Sequence, residues 1–228
     1  MNTPADIRAR TASWPLFASV VFDADSTLAS IEGIDWLGAL RGPQVGAAIT
    51  LLTDQAMDGK LPLEQVYAAR LDLIRPTRDE IERLGAAYVA AIEPGAALLI
   101  AELSARKVRV VIVSGGLRAA LLPLAALLGV GRNDVFAVDL MHDDHGQYLA
   151  VAPNQLLSLQ DGKPRVVRAL ALPAPSAMVG DGSTDAAVRD VTDTFIAYTG
   201  VARRVSVVAV ASAEAPNFAV LRSLLLDG

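Results

Sequence analysis

The chain has no cysteine among its 228 residues. That absence excludes disulfides, a thiolate nucleophile and cysteine-ligated zinc, and it fits the cytosol. Basic residues are in deficit too: 20 Lys and Arg stand against 25 Asp and Glu, a formal net charge of -5. A nucleic-acid partner is not expected, because neutralising a phosphate backbone takes basic surface. A small anion needs only a few local cations. With two histidines in all, any metal site must be built mainly from oxygen. No apolar run approaches the length of about 20 residues that spans a bilayer, so no membrane association is expected. Met1–Arg10 has mixed charge and a proline, with no basic leader and no small-residue cleavage site, so no export signal is expected. Internal repeats, low-complexity tracts and long charge runs are missing as well.

What is present is apolar residue in short pieces. Hydrophobic residues make up 53% of the chain, enough for a sizeable core. The length suits one α/β domain with an insertion, or two small domains. Four short runs read as strands: Ala18–Phe22 (the end of the apolar stretch from Pro15), Val108–Val113, Ala177–Val179 and Phe195–Ala197. A fifth, Val205–Ala211, is rich in valine and reads as another. β-branched residues in such brief runs favour buried parallel strands. Ala/Leu-rich segments of helical length lie between them: Gly95–Arg106, Leu117–Leu128 and Pro164–Leu172. Strand alternating with helix predicts a doubly wound parallel sheet. From about Ser30 to Ala91 the alternation stops. That interval carries only helical patterns, Trp36–Leu40, Pro43–Asp58, Leu63–Ile74 and Arg78–Ala91, and Glu93-Pro94-Gly95 marks the return to the sheet. The expected division is an α/β core of residues 1–29 and 92–228 with a small inserted helical domain, 30–91.

Three of the apolar runs end in polar clusters: Asp23-Ala24-Asp25-Ser26-Thr27, Ser114-Gly115-Gly116 and Gly180-Asp181-Gly182-Ser183-Thr184-Asp185. Open α/β sheets bind ligands at the carboxyl ends of their strands, and a parallel sheet brings all three clusters to one edge. Asp23 and Asp25 are two residues apart. If the strand continues, both side chains leave on one face; if it turns, one side chain and one backbone carbonyl point inward. Carboxylates so close repel unless a cation lies between them. Oxygen donors select a hard cation, and Mg²⁺ suits phosphate chemistry, with Asp181 as third ligand. The glycines beside Ser114 and Asp181 let backbone N–H groups approach phosphate oxygens, and a helix expected after Gly116 adds its positive end. Each motif alone has an ordinary reading: a solvated loop, a turn, a helix cap. Three in this order, each at a strand end, favour a site. Lys163 alone would be a surface lysine before a helix opened by Pro164.

Together, Asp23–Thr27 (DxDxT), Ser114, Lys163 and Gly180–Asp185 (GDGxTD) resemble the four motifs of the haloacid dehalogenase superfamily, and the inserted helical segment resembles its C1 cap. Phe22–Leu28 followed by Glu32-Gly33-Ile34-Asp35, then Met57-Asp58-Gly59, Arg70–Ile74, Val113–Gly116 and Asn133–Ala137, are similar to the phosphoserine phosphatases. The resemblance covers about residues 16–204. It implies a HAD-like, Rossmann-like core and Mg²⁺-dependent hydrolysis of O-phosphoserine through an aspartyl phosphate. Asp23 would attack phosphorus. Asp25 would act as acid and then base, and would give the metal its backbone carbonyl. Asp181 would complete the metal site, with Asp185 behind it. Ser114, Gly115 and Lys163 would hold the phosphoryl oxygens. Glu32 would pair with the serine ammonium and Arg70 with its carboxylate; without the resemblance, Glu32 is equally well a helix cap and Arg70 a helix-face cover. Met57 would line the pocket, and Thr184 and Arg204 would touch substrate.

Departures from the pattern are Leu63 in place of a cap phenylalanine, Thr199-Gly200 in place of Gly-Gly, and a poor match over Val205–Phe218. His142 and His145 fall in a polar, hairpin-like segment, Met141–Tyr148, and are expected to be exposed and not ligands. A second reading keeps the chemistry and changes the acceptor or ester: transfer to a hydroxylated amino acid such as homoserine, or cleavage of an amino-alcohol phosphate. A third is a phosphorylatable signalling module or an inactive phosphate-binding protein. A receiver domain lacks both the inserted helices and an aspartate two residues after the nucleophile. The expected state is a cytoplasmic monomer or homodimer.

Overall fold

The computed structural model describes residues 17–58 and 60–227. Met1–Arg10, the start of the run at Pro15 and Gly59 lie outside the described residues.

Strand β1, Ser19–Phe22, has no exposed residue. A strand covered on both faces has no polar side to alternate, so its sequence is one continuous apolar run. The same logic produces β2 (Arg109–Leu117), β6 (Ser176–Gly180) and β7 (Thr194–Tyr198) where runs were expected. Strands β3 (Val135–Val138) and β8 (Ala213–Ala215) complete the sheet. The six lie parallel in the order β3-β2-β1-β6-β7-β8. The order reverses beside β1, which makes that point the crevice for a ligand. Register levels the strand ends there. Phe22 stands opposite Ile112 on one side and Val179 on the other, and Asp23 N donates to Val179 O at 2.9 Å.

Between β1 and β2 the chain forms helices α1 (Gly33–Ala39), α2 (Pro43–Met57), α3 (Leu63–Ile74) and α4 (Arg78–Ala90) before α5 (Ala96–Ala105) returns to the sheet. Their ends are chemical. Pro43 opens α2 at a position where a missing N–H costs nothing. Arg75 closes α3 in the left-handed region, ahead of Pro76. Thr77 and Glu80 form a reciprocal cap on α4, Glu80 N to Thr77 Oγ1 at 3.3 Å and Thr77 N to Glu80 Oε2 at 2.9 Å. The segment leaves and returns through neighbouring backbones: Ser30 N donates to Ala91 O at 2.8 Å and Glu93 N to Leu28 O at 2.9 Å. Leu37, Ile49, Leu71, Ile74 and Leu84 fill its interior. α4 lies on α6 (Arg118–Leu127) at Gly85, where a Cβ would stand 3.1 Å from Pro123. The remaining helices are α7 (Gly162–Ala169), α8 (Ser183–Ala186), α9 (Val205–Val208) and α10 (Phe218–Leu226).

Three expectations are corrected. Val205–Ala211 is not a strand: α9 occupies it, and the edge strand is β8. Val205 is 73% exposed and only Val207 in α9 is buried, so burial there is one-sided, as in a helical turn. Second, α7 starts at Gly162, so Lys163 is its second residue and Pro164 its third. A Cβ at Gly162 would overlap the Leu156 carbonyl; only glycine lets the helix begin against that backbone. Third, the expected hairpin exists as β4 (Leu140–His142) and β5 (Tyr148–Val151), but His142 is half-buried, with Nε2 3.0 Å from Pro76 O, while His145 is exposed. Among the described residues no helix is long and apolar enough to cross a membrane.

Candidate active site

Asp23 follows directly from the last residue of β1. Its Oδ1 accepts from Ala24 N at 2.7 Å, and its Oδ2 lies 2.8 Å from Lys163 Nζ. The ammonium also reaches Asp185 Oδ1 at 2.5 Å. Asp185 Oδ2 accepts from Gly182 N at 3.0 Å, and its carboxyl sits where a Cβ at Gly180 would be. Carboxylate oxygens of Asp23, Asp181 and Asp185 all lie within 4.8 Å of one another, and all three residues are buried. Burial, then Glu32, pushes Asp181 well above the usual carboxylate range. Burial, then Asp23, pushes Asp185 up to about 7. Burial works against the Lys163 charge, but Asp185 and Asp23 outweigh it and raise the ammonium above its ordinary value. Arg204 pairs with Asp181 and reaches towards Asp58 at 3.9 Å and Asp54 at 4.0 Å. Three buried carboxylates this close share only Lys163 and Arg204 as near cations among the described residues, and an all-oxygen cluster of this kind fits a hard divalent cation.

The Asp25 carboxylate turns away from this cluster. Its Oδ1 accepts twice, from Tyr88 Oη at 2.6 Å and Gly33 N at 2.7 Å. Its Oδ2 accepts from Ser114 Oγ at 3.3 Å, and Ser114 Oγ accepts from Gly116 N at 2.9 Å. Burial, then Asp23, raises Asp25 to about 6, and the Tyr88 hydroxyl holds it back.

One cavity joins these groups to the helices above. Asp23, Asp25, Lys163, Asp181, Thr184, Gly115 and Gly116 line its floor; Glu32, Ile34, Met57, Leu63, Tyr67 and Arg70 line its walls. Of the residues expected at the site, Ser114, Asp185 and Arg204 do not line it: Ser114 is fully buried behind Asp25, and Arg204 stands on the far side of Asp181. Glu32 Oε1 accepts from Ser26 Oγ at 2.7 Å, and burial, then Asp25, pushes Glu32 up to about 8. Arg70 is 3% exposed; its Nη1 donates to Thr53 Oγ1 at 2.7 Å, and its Nε–H has no partner among the described residues. Sequence reasoning missed Tyr67, Tyr88 and Ile34. Tyr67 had a weak signal, three residues before Arg70 on one face of α3. Its hydroxyl donates to Gly115 O at 2.7 Å. Tyr88 had none.

A buried carboxylate at the end of the central strand, held beside a lysine and further aspartates, has the setting a covalent carboxylate nucleophile needs. The family model of the haloacid dehalogenase-like hydrolases matches residues 20–188. The chloroplastic phosphoserine phosphatase of Arabidopsis thaliana is 36% identical over 201 residues, 86% of this chain and 68% of that protein. The phosphoserine phosphatase of Mus musculus is 36% identical over 185 residues, 80% of this chain and 81% of that one. A solved phospho-aspartyl intermediate analogue of phosphoserine phosphatase superposes with a TM-score of 0.72 at 27% identity, covering 87% of this chain and 92% of that one. The chain belongs to the haloacid dehalogenase-like hydrolases and, within them, to the phosphoserine phosphatase family.

Proposed function

We propose that this protein is a Mg²⁺-dependent phosphatase that hydrolyses O-phosphoserine to serine and phosphate through an aspartyl phosphate on Asp23. One observation carries the substrate: the cavity above Asp23 holds a half-buried carboxylate, Glu32, and a buried guanidinium, Arg70, and among the described residues Glu32 has no ion pair and the Arg70 Nε–H no partner. An amino acid supplies the missing ammonium and carboxylate together, and each contact is charge-assisted.

Asp23 attacks phosphorus. An Asp23 O–P bond forms, the P–O bond to serine breaks, and Asp25 gives the leaving oxygen its proton. Two donors already occupy Asp25 Oδ1, so Oδ2 carries that proton. Asp25 then takes a proton from the attacking water, the Asp23 O–P bond breaks, and phosphate leaves. Splitting one displacement into two makes each easier, and the acid–base help is worth about 10²–10⁴-fold. Lys163 and the Gly115–Gly116 backbone face the phosphoryl group, with Ser114 fixing the turn behind them. Asp23, Asp181 and the Asp25 carbonyl would hold Mg²⁺, with Asp185 behind; bound there, the ion offsets carboxylate repulsion and polarises a phosphoryl oxygen. Residues 30–91 act as a cap over the core of residues 1–29 and 92–228, hinged at Ser30 and at Glu93-Pro94-Gly95. A cytoplasmic setting suits the cysteine-free composition.

The test is phosphate release from O-phosphoserine, O-phosphoethanolamine and simple phosphate esters with Mg²⁺, against EDTA and Asp23→Asn. O-phosphoserine should be preferred at least about tenfold in kcat/KM, and both controls should remove more than about 10³-fold of the activity. Turnover of other esters but not O-phosphoserine keeps the Asp23 chemistry and removes the amino-acid reading. Silence on all of them overturns both.

A further inference from the structure

We propose that Thr53 is a positioning residue for substrate recognition: it ties Arg70 to Asp35 and turns the free edge of the guanidinium into the cavity. The proposal rests on the amino-acid reading of the same site.

Thr53 Oγ1 accepts from Arg70 Nη1 at 2.7 Å and donates to an Asp35 carboxylate oxygen. The polarity of this chain has one solution. A guanidinium only donates and a carboxylate only accepts, so the single hydroxyl proton must point at Asp35 and a lone pair must face Arg70. Thr53 is 2% exposed and Arg70 3% exposed. The Arg70–Thr53 contact is buried, so solvent does not readily replace it.

The three residues come from separate helices: Asp35 from α1, Thr53 from α2 and Arg70 from α3. The relay therefore sets the guanidinium relative to Glu32, which immediately precedes α1. Nη1 is the nitrogen on the side away from the Nε–H. Holding it on Thr53 leaves the Nε–H and Nη2 edge for a ligand, which is the fork a carboxylate meets with two parallel bonds. The buried Nε–H, which has no partner among the described residues, lies on that edge, and Arg70 lines the cavity. Asp35 supplies negative charge to a cation whose pKa burial depresses without lying where the substrate carboxylate must go.

Thr53→Val keeps the side-chain shape and removes the hydroxyl; Thr53→Ser keeps the hydroxyl. KM and kcat are measured for each on O-phosphoserine and on O-phosphoethanolamine, which lacks the carboxylate. Thr53→Val should raise KM for O-phosphoserine about tenfold or more, the effect of losing a hydrogen bond to a charged group. Its kcat on that substrate, and its kcat/KM on O-phosphoethanolamine, should change less than about threefold. Thr53→Ser should recover most of the KM. Equal losses on both substrates, or no change in KM, overturn the relay while wild-type preference for O-phosphoserine leaves the site reading standing. A wild-type protein without that preference overturns the reading and the relay with it. If Thr53→Val does not fold, Asp35→Ala, which removes the acceptor of the Thr53 hydroxyl, is read by the same two outcomes.

Discussion

Lys163 has to satisfy two aspartates at once, and it does so with a side chain only 5% exposed. Asp23 and Asp185 both touch the ammonium, so its removal leaves two buried carboxylates without their nearest cation. Breaking a buried pair from one side typically costs about 3–5 kcal/mol. Lys163→Met should lose stability of that order in the metal-free protein, measured by urea unfolding, and should lose phosphatase activity as well. A loss under about 1 kcal/mol would mean that protonation or water replaces the lysine. This residue was legible as a motif member and illegible as a structure: a lysine next to a proline reads as surface, and only Gly162 packed on Leu156 puts it inside.

Between elements, the contact of α4 with the entry to α1 decides the state of Asp25. The Tyr88 hydroxyl fills the space that a Cβ at Gly33 would take, and from there it donates to Asp25. That hydrogen bond favours the ionised carboxylate and lowers its pKa. Tyr88→Phe removes it, so Asp25 should move above its value of about 6. The limb of the kcat–pH profile that follows Asp25 should shift to higher pH. Gly33→Ala should act in the same direction by pushing the hydroxyl away. An unchanged profile in both variants would show that Gly33 N alone sets this group. Helices α1 to α4 were readable as helical patterns, but which helix would face Asp25 was not: Tyr88 and Asp25 are 63 residues apart, and their meeting depends on how α4 lies over the sheet.

At the scale of the whole molecule, the acids gathered at the site (Asp23, Asp25, Glu32, Asp181 and Asp185) outnumber the cations set among them (Lys163, Arg70 and Arg204) among the described residues, and stability must follow pH accordingly. Asp25, Asp185 and Glu32 are raised from 3.8, 3.8 and 4.5 to about 6, 7 and 8. Between about pH 4 and pH 8 the unfolded chain has released these protons while the folded chain keeps them. The folded state binds more protons there, so stability falls as pH rises through that window. In EDTA the melting temperature should drop from about pH 5 to pH 8, and Mg²⁺ should recover most of the loss at the upper end by offsetting the charge on Asp23, Asp181 and Asp185. A melting temperature that is flat or rising in EDTA would show that these carboxyls are not held protonated.

The sequence by itself determined the chemistry at the strand ends. A strand buried on both faces must be an apolar run, so the polar residues that follow Phe22 and Val179 mark its carboxyl end, and the shortage of His and Cys leaves oxygen as the donor. It determined that residues 30–91 are helical as well, although the first of these helices begins at Gly33, ahead of the expected Trp36. The tertiary structure decided the rest. β8 is the tripeptide Ala-Glu-Ala, which has no periodicity to read. Val205–Ala211 carries strand-forming valines but is covered on one side only. Tyr67 finds Gly115 across 48 residues and Arg70 finds Thr53 across 17. Contacts of that kind depend on the angle at which one packed helix crosses another, and no local pattern of residues encodes that angle.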